Sequence, residues 1–117
     1  GDLTEARGGA AGCSSPTRGL IAGGFSTPNY RNDIESIEIS TLGNAADFGD
    51  LTANNVYLSG ASSHIRGVWG GGFPSPANTN VIQFVTIASA GNASDFGDLT
   101  TARRLTASCS DAHGGLE

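Results

Sequence analysis

Lysine is absent from this chain of 117 residues, and charge of either sign is scarce: charged residues make up only 15%. The 6 basic residues are all arginine and face 11 acids, a formal net charge of -5. That balance argues against a nucleic-acid partner, because phosphate binding needs a basic surface. Long apolar runs are missing too, and no stretch approaches the roughly 18 to 20 residues of a membrane-spanning helix. Gly1-Asp2-Leu3-Thr4 has no charged-then-apolar layout, so a signal peptide is not expected there. Hydrophobic residues reach only 38%, and glycine fills the gap with 18 positions, roughly twice the usual share.

What is present is an internal repeat. Gly1-Asp2-Leu3-Thr4 recurs as Gly49-Asp50-Leu51-Thr52 and as Gly97-Asp98-Leu99-Thr100, with a period of 48 residues. Asp47-Phe48-Gly49 returns as Asp95-Phe96-Gly97, and Arg18-Gly19 with Gly23-Gly24-Phe25 returns as Arg66-Gly67 with Gly71-Gly72-Phe73. Residues 1–48 and 49–96 share 21 identities without a gap, far beyond chance. The chain is a single array: repeat 1 at 1–48, repeat 2 at 49–96, and a partial repeat 3 at 97–117. It is expected to be a fragment of a longer array. Leu116-Glu117 reads either as an appended dipeptide of the kind that precedes a purification tag or as the natural frame.

Each repeat predicts four short strands. The first is expected at Gly8–Ser14, with Val56–Ser62 and Leu105–Ser110 as its copies. The second spans Gly19–Phe25 and Gly67–Phe73. The third, Asp33–Thr41, alternates apolar and polar residues, and its copy Val81–Ser89 is rich in β-branched and aromatic ones. The fourth is near Asp47–Leu51 and Asp95–Leu99. Pro, Gly, Asn and Ser cluster between them as turns, and no segment has a sustained helical period. The expected fold is therefore all-β, with glycine letting inner strands approach closely.

The repeat resembles the kelch-type β-propeller blade, a four-stranded sheet with a period of about 50 residues. The hallmark apolar strand ending in Gly-Gly is Leu20-Ile21-Ala22-Gly23-Gly24, and again Val68-Trp69-Gly70-Gly71-Gly72. Phe48 and Phe96 look like the family's late aromatic. Arg7 and Arg103 resemble the arginine that opens a blade, with Asn55 in the middle copy. Ile39 or Ile37 and Phe48 stand nearest the family's tyrosine and tryptophan. The Thr17-Arg18-Gly19 and Asp-Phe-Gly-Asp-Leu-Thr strings look more like kelch-like repeats of environmental, phage-associated reading frames. The resemblance implies four-stranded antiparallel blades in a ring of typically 4–8. Two blades and part of a third cannot close such a ring, so the chain is expected to self-associate. The expected assembly is a homotrimer supplying six blades, with a partial repeat overlapping the next chain's inner strand.

The chemistry-bearing residues are few. Cys13 and Cys109 occupy equivalent positions and read as small buried residues rather than a disulfide or, with His64 and His113, a metal site. The Asp-Phe-Gly tripeptides lack every other kinase element and read as structural. The Gly-rich runs Gly23-Gly24 and Gly71-Gly72 fit no phosphate-binding fingerprint. Arg18 and Arg66 are expected to bond from blade to blade, or to pair with Asp47, Asp50, Asp95 or Asp98; a ring of arginines holding an anion is the alternative. Asn92-Ala93-Ser94 matches a glycosylation acceptor, but a turn role is more economical. Ligand contacts are expected in the loops that differ most between repeats, at Asn29, Tyr30, Arg31, Asn78 and Asn80. The function expected is a non-catalytic binding or structural scaffold for a protein or glycan ligand, with no cofactor, in an extracellular or virion setting. A glycan-processing propeller enzyme with a composite site is the alternative.

Overall fold

A computed structural model describes residues 1–110; His113, Gly115 and Leu116-Glu117 lie outside the described residues. The described chain is all-β and contains no helix. Strands β1 (Ala11–Ser14), β2 (Arg18–Ala22), β3 (Phe25–Ser26), β4 (Asn29–Tyr30), β5 (Asp33–Glu38) and β6 (Ala46–Asp50) come from the first repeat. Strands β7 (Ser59–Ser62), β8 (Arg66–Gly70), β9 (Val81–Thr86) and β10 (Ser94–Asp98) come from the second. They form two antiparallel four-stranded sheets, β1-β2-β5-β6 and β7-β8-β9-β10, and a small β3–β4 hairpin.

The first three strands of each full repeat are shorter than the sequence predicts, for local reasons, while the fourth keeps its length and starts one residue earlier. The second strand stops at Ala22 because Gly23 and Gly24 take φ values of +66° and +107°, which a β-strand cannot hold. A Cβ on Gly23 would also stand 2.6 Å from the Asn55 carbonyl oxygen. The expected strand Val56–Ser62 begins only at Ser59, since Tyr57 turns the chain with φ 61°. The loop after Gly24 is more ordered than expected, because Phe25 and Tyr30 pair across the hairpin. Leu105–Ser110, expected as a strand, forms none among the described residues.

The core lies between the two sheets. Leu20, Ala22, Ile34, Phe48 and Leu51 from the first meet Leu58, Trp69, Val85 and Ile87 at the second. Phe48 reaches this layer through a β-bulge: Ile34 faces Gly49 and Glu35 faces Asp47, leaving Phe48 as the extra residue. The inner strand β1 packs so closely on the second sheet that a Cβ on Gly67 of β8 would lie 2.6 Å from the Cys13 Sγ, and one on Gly60 of β7 would lie 2.6 Å from the Gly12 carbonyl. The Trp69 indole donates to the Ala11 carbonyl at 3.3 Å.

The repeat makes each sheet's two faces comparable. Phe48 is 3% exposed, whereas its equivalent Phe96 is 55% exposed. Ile87 is 1% exposed, whereas its equivalent Ile39 is 52% exposed. Each sheet thus has one face covered by the other sheet and one face open.

Candidate functional site

A charged network lies beside the first sheet, where the segment before β1 meets β5. The Arg7 guanidinium is buried, at 1% exposure, and donates to Asp33 at 2.6 Å, to Glu35, and to the Gly23 carbonyl at 3.2 Å. Glu35 is also buried and accepts from the Thr4 hydroxyl and, at 3.1 Å, from the Thr4 amide. Arg31 donates to Asp33 at 2.8 Å and pairs with Glu5. Burial is the largest single influence on the Asp33 carboxyl and pushes its pKa up. Hydrogen bonds from Arg31 and Arg7 and the Arg7 charge together outweigh it and hold the group at about 2. The hydrogen bond to Asp33 likewise raises the Arg31 pKa.

Sequence reasoning missed this network, although a signal was present. Glu5, Arg7, Arg31, Asp33 and Glu35 align in the second repeat with Ala53, Asn55, Thr79, Val81 and Gln83. All five charges change together to neutral residues. In that neutral copy Gln83 accepts from the Thr52 amide at 2.8 Å, as Glu35 does from Thr4, and Asn55 donates to the Gly71 carbonyl at 2.9 Å. Both sets hold the crossing segment against its sheet; only the first does so with charge.

At the same end of the sheets an aromatic cluster forms. The Phe25 and Tyr30 rings lie 5.2 Å apart, and Tyr30 meets Phe73 edge-on at 6.2 Å. Arg104 stacks on Phe73 at 4.6 Å. Of the loop residues predicted as ligand contacts, Tyr30 is half-buried in this cluster and Arg31 is engaged in the charged network. Asn29 is exposed in β4, opposite Ser26. Asn78 is exposed in the second loop, and Asn80 is half-buried with its carbonyl accepting from the Leu99 amide at 2.7 Å. The structure therefore brings Asn29, Tyr30 and Arg31 together with Phe73. Asn78 and Asn80 lie on the separate loop that follows Phe73.

The repeated arginines behave differently from one another. Arg18 donates to the Ile87 carbonyl of the second sheet at 2.9 Å and pairs with Glu38 at 2.9 Å, so the expected sheet-to-sheet bond forms and its acidic partner is Glu38. Arg66 lies over the Phe84 ring at 4.5 Å, and Phe84 meets Phe96 edge-on at 5.9 Å. The Asn92 side-chain oxygen accepts from the Asp50 amide of β6 at 3.0 Å, so it bonds across to the first sheet. Burial pushes the Cys13 thiol up to about 12, whereas Cys109 is exposed, and both are free. A groove of about 350 Å³ lies on the open face of the second sheet, lined by Val68, Ile82, Leu99, Arg103 and Thr106 among others. No family model matches the chain, and a search of the curated proteins finds no match either.

Proposed function

We propose that the chain is a non-catalytic, kelch-like β-propeller fragment that self-associates to close a ring and serves as a binding or structural scaffold. The observation that carries this reading is the pairing of covered and open faces. Ile21, Ile37 and Ile39 on the first sheet are the equivalents of Trp69, Val85 and Ile87, which the first sheet covers in the second. Val68, Ile82, Phe96 and Leu99 on the second sheet are the equivalents of Leu20, Ile34, Phe48 and Leu51. The two open faces are thus the two halves of the same interface. A second copy placed as the second sheet sits on the first covers both, and repetition of that head-to-tail contact makes a ring when the rotation closes. Three copies give six blades, within the usual range of propellers.

The inner strands carry Ala11, Gly12, Cys13 and Ser14 and their copies Ser59, Gly60, Ala61 and Ser62. None is an acid or a general base, which favours binding over an axial active site. The aromatic face of Phe25, Tyr30 and Phe73 beside Asn29 has the mixed apolar and polar character of a ligand-contacting surface. The testing experiment is sedimentation velocity. The expected result is a species of about three times 11.8 kDa; a folded monomer at every concentration overturns the reading. A glycan array run beside a hydrolase panel tests the ligand class, and hydrolysis without binding refutes the non-catalytic part.

A further inference from the structure

Residues 99–110 lie against the second sheet as residues 51–62 lie against the first. The Leu99 amide donates to Asn80 at 2.7 Å, as Leu51 does to Asn32 at 2.7 Å. Gly72 donates to the Arg103 carbonyl at 2.8 Å, as Gly24 does to Asn55 at 2.8 Å. Leu105 donates to Tyr57 at 2.9 Å, as Tyr57 does to Gly9 at 2.9 Å. The Ser108 hydroxyl donates to the Gly60 carbonyl, and the Ser110 hydroxyl to the Ser62 carbonyl at 2.6 Å. The segment thus lies beside β7 where β7 itself lies beside β1, in the place of a following sheet's inner strand.

Its sequence fits the first sheet rather than the second. Residues 97–110 match residues 1–14 at 9 of 14 positions and residues 49–62 at 5 of 14. The difference comes from Ala102, Arg103, Ala107 and Cys109, which repeat Ala6, Arg7, Ala11 and Cys13 where the second copy has Asn54, Asn55, Ser59 and Ala61. Arg7 is the residue enclosed by Asp33 and Glu35. Arg103 carries the same side chain and is exposed.

We propose that residues 99–110 of one chain dock on the first sheet of a second copy, in place of that copy's residues 3–14, with Arg103 between Asp33 and Glu35. The inference rests on the self-association reading and says which residues bridge the junction. Two of the three glycines that would receive larger residues have room for a Cβ, at Gly8 and Gly12. A Cβ at Gly8, where Arg104 would come, meets nothing within 4 Å, and a Cβ at Gly12, where Ser108 would come, touches only the Leu20 carbonyl at 3.4 Å. Leu105 would come to Gly9. The backbones agree, with φ of 56° and 69°, but the new Cβ would stand 2.6 Å from Val56 Cγ2 and 3.0 Å from the Tyr57 ring, so Val56 must shift and the Tyr57 ring must give way. That one crowded position is a lever.

Sedimentation velocity on the full chain across a concentration series tests the exchange, comparing Arg103→Ala, Arg7→Ala and Leu105→Gly with the parent. The exchange requires Arg103→Ala to raise the concentration of half-assembly by at least about a hundredfold. It requires Leu105→Gly to lower that concentration, and Arg7→Ala to leave it unchanged or lower it by weakening the internal competitor. The reverse pattern, a silent Arg103→Ala and a damaging Arg7→Ala, overturns the exchange while self-association stands, because rings would then close with residues 1–14 in place. Monomers throughout overturn both. Should Arg7→Ala fail to fold, Arg103→Ala and Leu105→Gly, both at exposed positions, decide alone.

Discussion

Replacing Arg7 by alanine removes the cation from the center of the charged network, and the structure sets the size of the effect. Glu35 is 1% exposed and would keep only its bonds from Thr4, while Asp33 would keep Arg31. Breaking a buried pair by deleting one partner costs about 3–5 kcal/mol, because the remaining charge is neither solvated nor compensated. Domains of this size are stable by only about 5–15 kcal/mol, so the substitution should lower the urea midpoint severely. The second repeat indicates the remedy. Arg7→Asn combined with Asp33→Val and Glu35→Gln installs the residues found at Asn55, Val81 and Gln83. This triple variant should recover to within about 1–2 kcal/mol of the parent, since neutral replacements of a buried ion set are often tolerated. Urea unfolding of dilute, monomeric protein is the assay. A loss below about 1 kcal/mol for Arg7→Ala, or a triple variant no better than the single, refutes the claim that the cost is an orphaned buried charge.

Three further outcomes are expected. Phe48→Ala should cost about 3–5 kcal/mol in the monomer while Phe96→Ala costs under about 1, with the order reversed for the effect on assembly; similar monomer losses would contradict the open-face assignment. The folded pKa of Asp33 is depressed, so its contribution is present above the unfolded value of about 3.9 and is lost as pH falls toward about 2. Allowing for solvent screening of a side chain that is 18% exposed, this amounts to about 1–2 kcal/mol, and an acid titration of stability for Asp33→Asn should be flatter across that window than the parent's. Cys13, with its thiol pushed up to about 12, should alkylate far more slowly at neutral pH than exposed Cys109, as read by mass spectrometry of the labelled peptides.

The sequence alone determined the all-β class, the 48-residue period and the approximate places of the strands in both full repeats. These are local or periodic properties: alternation in β5 and β9, turn residues between strands, and Gly-Gly pairs whose φ no β-strand holds. For Arg18 it left a bond between blades and a pairing with a repeated aspartate both open; the structure shows a bond to the Ile87 carbonyl and a pairing with Glu38 instead of an aspartate. The sequence did not disclose that Arg7, Arg31, Asp33, Glu35 and Glu5 form one network. Their separations along the chain reach 30 residues, and only the crossing of the first segment over β5 brings them together. Nor could it tell Phe48 from Phe96, or Ile39 from Ile87, which are interchangeable members of one repeat. Tertiary structure alone decided that difference, because burial depends on whether a neighbouring sheet is present, and each sheet here has a neighbour on one side only.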